Sequence, residues 1–403
     1  MSRKIRVGLV YGGKSGEHDV SLSTALAVIG AFDHAKYDIH PFYIDKQGAW
    51  FSGPPLTGPV ERKEELQFGS GQDAEPAVLA LAPIFGSGRS GGLPAAADAA
   101  SGAAADGEKA VLHSTGSASL ARTEGAAYGV GGLDVVFPLL HGTNGEDGTI
   151  QGLLEMANVP YVGAGVLASA VGMDKVAMKK LFAQEGLPQC HYQHFTNKQW
   201  AKDRAYFLME IEISLGYPCF VKPANLGSSV GVGKARNQEE LIAAVEEAFR
   251  FDRKVIVEEF IHAREVEVSV LGNDEPIASV PGEIVSSNEF YDYKAKYIDG
   301  KSAMVIPAEL SEETADRLRE LAVQAFLAID GSGLSRVDFF ISRDNGQIYL
   351  NEINTMPGFT PFSMYPLLWK ETGKPYQELL DDLIRLALER HAEKQKLNFT
   401  FDA

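Results

Sequence analysis

The pattern of apolar and polar residues predicts that the chain opens as an α/β structure. An apolar run over residues 5–11 ends at a pair of glycines, which is typical of a buried strand followed by a turn. Apolar residues then recur at helical spacing over residues 21–32, and residues 39–44 form a second apolar run. A strand, a helix and another strand in this order indicate a sheet with helices packed against it.

Later in the chain, helical and strand periods are mixed. Strands are predicted at residues 133–140 and 255–261, and a half-exposed strand at residues 265–270, where valines alternate with polar residues. Helical spacing and capping residues predict helices at residues 150–157, 176–185, 237–249, 311–331 and 376–396. This mixture predicts an α/β domain followed by α+β domains.

Residues 86–132 differ from the rest because glycine, alanine and serine dominate them. Such a composition buries too little apolar surface to offset the entropy cost of ordering. We interpret this segment as a surface insertion within the first domain, with short strands predicted beside it at residues 78–82 and 110–113.

Composition narrows the possible functions. The chain has 403 residues, 45% of them hydrophobic, so it can form several domains with cores, and its formal net charge is −17. The sequence contains no long basic run, which argues against nucleic-acid and anionic-membrane partners. No apolar run approaches the ~20 residues that span a bilayer. The two cysteines fit reduced thiols, so we expect a cytoplasmic protein.

Residues 8–15 match the phosphate-binding pattern GxxxxGK[ST] only formally. In a true P-loop a strand precedes the first glycine, whereas Gly8 lies inside the predicted strand itself. Glu17 would also bring a negative charge to the place where phosphates bind. We therefore reject this segment as a nucleotide site.

A better candidate for phosphate binding is the run VKPANLGSSVGVGK at residues 221–234. Glycines let backbone N–H groups approach phosphate oxygens, serine hydroxyls add donors, and Lys222 adds a positive charge. The same composition fits a β-hairpin turn, in which the glycines serve only to adopt positive φ angles. Composition alone leaves both interpretations open.

Residues 336–354 predict a β-hairpin around an Asp-Asn-Gly turn. We predict a three-residue loop, because that register places Asp338 opposite Glu352. The same register places Arg336 opposite Asn354 on the same face. Two carboxylates and an amide oxygen form a ligand set suited to Mg²⁺.

A simpler interpretation of this face is a row of solvated charges. Phe340 and Leu350 are expected on the same face as the charges, which argues for partial burial. The opposite face is expected to be the core face, with Val337, Phe339, Ile341 and Ile353.

The motifs of this chain, taken together, resemble those of the D-alanine–D-alanine ligase family. They occur in the family's order and span most of the chain. They are GGKSGEHDVSLSTA (12–25), HGTNGEDGTIQG (141–152), MDK (173–175), VKPANLGSSVGVGK (221–234), VEEFI (257–261), FYDYKAKY (290–297), SRVDFF (335–340) and NEINTMPGFTPFSMYP (351–366). Each motif alone is weak evidence, whereas the complete set is highly specific.

The resemblance implies a three-domain ATP-grasp fold, in which an N-terminal parallel α/β domain precedes two α+β domains that clasp ATP. The expected domains are residues 1–163, 164–261 and 262–403, and residues 281–307 are expected to form a lid. The implied cofactors are ATP and two Mg²⁺ ions, for which Mn²⁺ can substitute. Relatives suggest a homodimer.

The resemblance also assigns roles to individual residues. ATP would be bound by Lys175, Lys222, Gly227, Ser228, Ser229, Glu258, Glu259, Phe260, Ile261, Glu265 and Lys296. The metal ions would be bound by Asp338, Glu352 and Asn354. The amino-acid substrates would contact Glu17, His141, Arg336, Gly358, Ser363 and Met364. The residues expected to be catalytic are Glu17, Ser228, Tyr297 and Arg336.

The expected reaction joins two D-alanines through an acyl phosphate, for peptidoglycan synthesis. Glu17 would hold the ammonium of the first substrate, and Arg336 would stabilise the tetrahedral oxyanion. Three alternatives stay open: D-lactate or D-serine as second substrate, a different ATP-grasp carboxylate–amine ligase, and a catalytically silent nucleotide-binding protein. The lid motif around Tyr297 favours D-alanine as the second substrate.

Overall fold

The computed structural model describes residues 3–68, 75–76, 132–285 and 303–398. Most of the 86–132 insertion, the short strands predicted beside it, and most of the predicted lid with Lys296 and Tyr297 lie outside these residues. Predictions about those segments stay predictions. In the described ranges, no helix is both long enough and apolar enough to cross a membrane.

Helices and strands alternate along the chain. The strands are β1 (Ile5–Gly12), β2 (Tyr37–Ile44), β3 (Trp50–Ser52), β4 (Glu75–Pro76), β5 (Val135–Pro138), β6 (Tyr192–Thr196), β7 (Cys219–Pro223), β8 (Gly233–Ala235), β9 (Lys254–Glu259), β10 (Ala263–Gly272), β11 (Ile277–Ala278), β12 (Gly282–Val285), β13 (Ala303–Val305), β14 (Gly333–Ser342) and β15 (Ile348–Asn354). The helices are α1 (His18–Ala31), α2 (Thr149–Met156), α3 (Val166–Met173), α4 (Lys175–Gln184), α5 (Asn197–Lys202), α6 (Arg204–Ser214), α7 (Gln238–Ala248), α8 (Glu312–Ala328), α9 (Met364–Glu371) and α10 (Tyr376–Lys394), with a 3₁₀ turn at Lys63–Leu66.

The first sheet has the strand order β4-β3-β2-β1-β5, and β1 is parallel to both β2 and β5. The α/β start predicted from the apolar runs is therefore confirmed. Gly8 pairs with His40 and Val136 inside the sheet, which agrees with the rejection of a P-loop. Helix α1 begins at His18 rather than Ser21, because the Ser21 amide already donates to the Glu17 carbonyl.

The last helix packs on the first sheet, although it lies far from that sheet in the sequence. Leu379 and Leu383 of α10 share a buried cluster with Leu9 of β1. The Tyr37 hydroxyl of β2 donates to Asp381 Oδ1 at 2.7 Å. The two ends of the chain therefore contribute to one core.

The second sheet has the order β6-β9-β7-β8 and its pairs are antiparallel. The apolar face of α7 packs on this sheet. The Asn237 side chain accepts a hydrogen bond from the Glu240 amide at 2.9 Å, which confirms the predicted helix cap. Cys190 and Cys219 are buried free thiols, as expected.

The third sheet runs β13-β12-β10-β14-β15 and is antiparallel. The prediction of a half-exposed strand β10 is wrong, because Glu267 is 7% exposed and Ser269 is 0% exposed. Glu267 is covered because it pairs with Arg336 of β14. Ser269 is covered by α9, where its hydroxyl donates to the Tyr365 carbonyl at 3.4 Å.

The predicted three-residue loop between β14 and β15 is wrong, although the predicted pairing at the charged residues is right. The Ser342 amide donates to the Gln347 carbonyl and the Gly346 amide donates to the Ser342 carbonyl, so residues 343–346 form the loop. A register shift after Asp338 then restores the predicted pairs, Asp338 with Glu352 and Arg336 with Asn354.

The same shift overturns the prediction that Leu350 lies on the charged face. Leu350 pairs with Phe339 and belongs to the buried cluster of Val337 and Ile353. The core face is therefore as predicted for the other apolar residues, with Leu350 added to it.

Candidate active site

A cleft between the second and third sheets brings together eight of the residues assigned by resemblance. Its lining includes Lys175, Lys222, Gly227, Ser228, Ser229, Glu265, Asp338 and Glu352. These side chains come from β7, the loop after it, the start of α4 and the facing strands of the third sheet. Segments distant in sequence therefore form one polar cleft.

One end of the cleft contains a carboxylate held between two lysines. Glu258 of β9 is 3% exposed. Its Oε2 lies 2.6 Å from Lys222 Nζ and its Oε1 lies 3.0 Å from Lys179 Nζ. Burial alone would raise the pKa of Glu258, but the two ammonium groups outweigh burial and lower the pKa to about 2. The carboxylate therefore stays ionised.

The glycine- and serine-rich run is both a hairpin connection and part of the cleft wall. Strands β7 and β8 pair antiparallel, and the loop between them faces the cleft. Ser228 and Ser229 have positive φ angles of 52° and 56°. Consecutive residues in this region turn backbone N–H groups to one side, which makes a concave site for anions. The Lys175 ammonium donates to the Leu226 carbonyl at 3.0 Å and so contacts the same loop.

The two opposed carboxylates of the hairpin face the cleft. Lys175 Nζ lies 3.2 Å from Glu352 Oε2, and the Asn354 amide nitrogen donates to Asp338 Oδ2 at 3.0 Å. This oxygen-rich donor set with two negative charges fits Mg²⁺. Within the described ranges no group of three or more His, Cys, Asp and Glu residues could hold a metal. Asn354 and substrate oxygens would therefore complete a site here.

Arg336 lies at the centre of the charged face. Its Nε and Nη2 donate to the two oxygens of Asp338, each at 2.7 Å, and its Nε lies 2.9 Å from Glu267 Oε2. Burial opposes its charge, but the facing carboxylates raise the pKa of Arg336 well above its ordinary value. The planar guanidinium is therefore a permanent cation beside the carboxylates.

The loop between β7 and β8 also contacts a residue that follows a strand of the first sheet. The Ser228 hydroxyl donates to Glu17, which ends the turn after β1. His141 is buried; its Nε2 lies 3.1 Å from Thr24 Oγ1 and its Nδ1 lies 3.7 Å from Glu146 Oε1. Burial lowers the pKa of His141, but the nearby carboxylates outweigh this effect and raise it.

The last residue of β9 and the residue after it lie beside β7 and β8. Glu259 Oε1 accepts a hydrogen bond from the His191 amide at 2.6 Å. The Phe260 ring lies 6.1 Å from the Phe220 ring, and Lys234 Nζ lies 4.2 Å from the centre of Phe260. This aromatic edge beside a cation is suited to a flat ring system.

Comparison with known proteins decides the family. The family model described as "D-ala D-ala ligase N-terminus" matches residues 6–164, and "D-ala D-ala ligase C-terminus" matches residues 181–385. The chain belongs to the D-alanine–D-alanine ligase family. The D-alanine–D-alanine ligase of Bacillus cytotoxicus is 53% identical over 98% of this chain and 99% of that protein. That of Geobacillus thermodenitrificans is 52% identical over 99% of this chain and 100% of that protein.

Solved structures of this ligase family have the same fold. The D-alanine-D-alanine ligase from Coxiella burnetii has a TM-score of 0.74 and 32% identity, covering 98% of this chain and 97% of that one. The VanG D-Ala:D-Ser ligase from Enterococcus faecalis has a TM-score of 0.75 and 34% identity, covering 96% and 100%. The expected ATP-grasp fold class is therefore confirmed.

The residues predicted to bind the second substrate lie around the start of α9. Ser363 precedes the helix, and its hydroxyl lies 2.8 Å from Thr360 Oγ1 and 3.1 Å from the Thr360 amide. A Cβ on Gly358 would approach Ser363 Oγ to 3.0 Å, so a larger residue would crowd this hydroxyl. Met364 is buried and packs with Ile284 of β12 and with Leu368.

Two charged residues were not predicted from the sequence, one that lines the cleft and one that lies behind it. Glu267 lines the cleft and pairs with Arg336. Lys179 lies behind the cleft and pairs with Glu258. A signal existed for Lys179, because it falls on the apolar side of α4 with Val176 and Phe182.

Proposed function

We propose that this chain joins two D-alanines to D-alanyl-D-alanine and converts ATP to ADP and phosphate, for peptidoglycan precursor synthesis. The observation that carries the proposal is the cleft, in which Lys175, Lys222 and the Ser228 loop face the opposed carboxylates Asp338 and Glu352. The names of relatives 52–53% identical over almost the whole chain support this choice of substrate.

ATP would lie in the cleft with its phosphates against the loop after β7. Lys175 and Lys222 offset the negative charge of the phosphates, and the backbone N–H groups at Ser228 and Ser229 supply further donors. Phe260 and Ile261 would hold the adenine, and Glu265 the ribose. These placements extend the family assignment to the residues of this chain.

Asp338, Glu352 and Asn354 would hold two Mg²⁺ ions, with Mn²⁺ as a substitute. Bound metal would offset the charge of the phosphates and of the substrate carboxylate as they approach each other. Lys175 and Arg336 pair with these carboxylates in this structure, so metal would compete with both side chains.

The first step is attack by the carboxylate oxygen of one D-alanine on the γ-phosphorus of ATP. The bond from that phosphorus to the bridging oxygen breaks, and ADP leaves with its electron pair. Glu17 would pair with the substrate ammonium, and its hydrogen bond with Ser228 joins that position to the phosphate loop. His141 lies beside the same turn, where Ser15 donates to its carbonyl at 2.9 Å.

In the second step the neutral amine of the other D-alanine attacks the acyl carbonyl carbon. The tetrahedral oxyanion that forms would be stabilised by Arg336, whose planar donors already bind carboxylates. Phosphate then leaves, and the nitrogen loses a proton. Ser363 and the Met364 amide would hold the carboxylate of this second D-alanine, with Gly358 giving them room.

The remaining parts of the proposal concern the whole molecule. We propose domains at residues 1–163, 164–261 and 262–403, a lid at residues 281–307 that excludes water from the acyl phosphate, and a homodimer. Lys296 would contact ATP from the lid, and Tyr297 would join Glu17 and Ser228.

Product analysis tests this proposal against its nearest alternative, a D-Ala:D-Ser ligase like the Enterococcus faecalis structure. Phosphate release is measured with ATP, Mg²⁺ and D-alanine alone, and again with added D-serine or D-lactate, and the products are identified by mass. We expect the D-alanine dipeptide from D-alanine alone. A mixed product only would refute the assignment of the second substrate.

A further inference from the structure

Lys179 is a fully buried lysine to which the family resemblance assigns no role. It lies on α4 one helical turn after Lys175, and its exposed fraction is 0%. Its Nζ lies 3.0 Å from Glu258 Oε1 and 3.8 Å from Cys190 Sγ. Burying an ammonium group is costly unless a carboxylate pairs with it. A neutral apolar residue would fill this position at lower cost if packing were its only purpose.

Glu258 divides its two oxygens between two lysines that lie on opposite sides of it. Lys222 lies 2.6 Å from Oε2 and lines the cleft, whereas Lys179 binds Oε1 and does not line it. The geometry follows from the strands: Phe220 pairs with Glu258, so Lys222 is the diagonal neighbour on the same face. Two positive charges against one negative charge leave a net positive charge, which faces the cleft at Lys222.

The second lysine changes what Lys222 can do. Paired with Glu258 alone, Lys222 would form a neutral ion pair, and beyond the pair itself the two opposite charges would largely cancel. We propose that Lys179 is a positioning residue that neutralises Glu258 from behind, so that the charge of Lys222 remains available to the phosphates of ATP. This inference rests on the proposed ATP site at Lys222.

A charge-compensation experiment separates this role from simple packing. Full-length Lys179→Met, Glu258→Gln and the double variant are compared with the unchanged protein. Lys180→Met is the matched control, because Lys180 is the next residue on α4 and is exposed. For each protein, KM for ATP and kcat are measured by phosphate release at saturating D-alanine, and Tm is measured by thermal unfolding.

We expect Lys179→Met to raise KM for ATP on the order of tenfold, with a change in kcat of less than about threefold. The double variant should have the KM for ATP of Glu258→Gln to within about threefold, because Lys179 has no carboxylate left to neutralise once Glu258 is removed. Lys180→Met should leave both constants unchanged. A packing role predicts instead that Lys179→Met raises KM by the same factor in the Glu258→Gln protein as in the unchanged protein.

An unchanged KM in a folded Lys179→Met protein would overturn the inference. So would a double variant whose KM exceeds that of Glu258→Gln by the same factor by which the KM of Lys179→Met exceeds that of the unchanged protein. If Lys179→Met does not fold, the double variant is compared with Glu258→Gln, and a KM more than about threefold above that of Glu258→Gln overturns the inference. Lys222→Met distinguishes this failure from failure of the proposed site. If Lys222→Met leaves KM for ATP unchanged, ATP does not bind at Lys222.

Discussion

The pKa of Glu258 is lowered by two lysines, so its charge state can be tested through the pH dependence of stability. Burial alone would raise its pKa, but Lys179 and Lys222 lower the pKa from 4.5 to about 2. A carboxyl group with a lowered pKa stabilises the folded state above its unfolded pKa. That contribution is lost as the pH falls from about 4.5 towards about 2.

We therefore expect Glu258→Gln to lower Tm at pH 7, because two lysines lose their counter-charge. The difference from the unchanged protein should shrink as the pH falls below about 4.5. Thermal unfolding of both proteins over this range measures it. Glu247→Gln on the exposed face of α7 is the control and should have little effect at any of these pH values. A Glu258→Gln difference that does not change with pH would count against the ion pairs.

Asp338 provides a second test at the scale of the residue. Asp338→Asn keeps the shape of the side chain but removes one of the two carboxylates that face the cleft. We expect kcat for phosphate release to fall on the order of 100-fold or more. Without this carboxylate the Mg²⁺ ions would be held poorly and would no longer offset the negative charge of the reacting phosphates. Asp344→Asn in the exposed loop of the same hairpin is the control. Near-normal activity of Asp338→Asn would remove it from the proposed metal site.

At the scale of elements, local sequence patterns predict the presence of helices and strands more accurately than they predict the pairing of the strands. The apolar runs and the caps at Asn237 and Ser311 predicted helices and strands that the structure contains. The β14–β15 loop was predicted wrongly, yet the charged residues pair as predicted, because the loop is one residue longer than expected and a bulge compensates for it. Composition cannot place a bulge, since a bulge is a feature of how the two strands pair in the folded sheet.

The register set by the four-residue loop can be tested through Leu350. Leu350 is 0% exposed and lies in the core, whereas the predicted three-residue loop would place it on the charged face. Leu350→Ala should therefore lower the free energy of unfolding by about 2–5 kcal/mol, as for other buried leucines. Urea unfolding measures the change, and Gln347→Ala, exposed on the same strand edge, should stay within about 0.5 kcal/mol. A small effect of Leu350→Ala would contradict the shifted register.

At the scale of the molecule, the sequence does not specify which distant elements meet. The sequence predicted α10 as a helix, but nothing in the sequence pattern indicates that one of its faces packs on β1 at the other end of the chain. The contact of Glu17 with Ser228 is of the same kind, since it joins the first sheet to the loop of the second. Glu17 and Ser228 both lie in family motifs and were predicted as site residues, whereas Lys179 lies in no motif and was missed.

The packing of α10 makes the first sheet dependent on the end of the chain. Leu379, Leu380 and Leu383 are each 0% exposed in the cluster that also contains Val7 and Leu9. A fragment of residues 1–164 lacks these leucines and would expose their apolar partners to water. We expect this fragment to show no cooperative thermal unfolding, and added peptide 374–396 to restore a transition. A sharp transition in the fragment alone would mean that the first sheet has a sufficient core of its own, and that α10 only covers it.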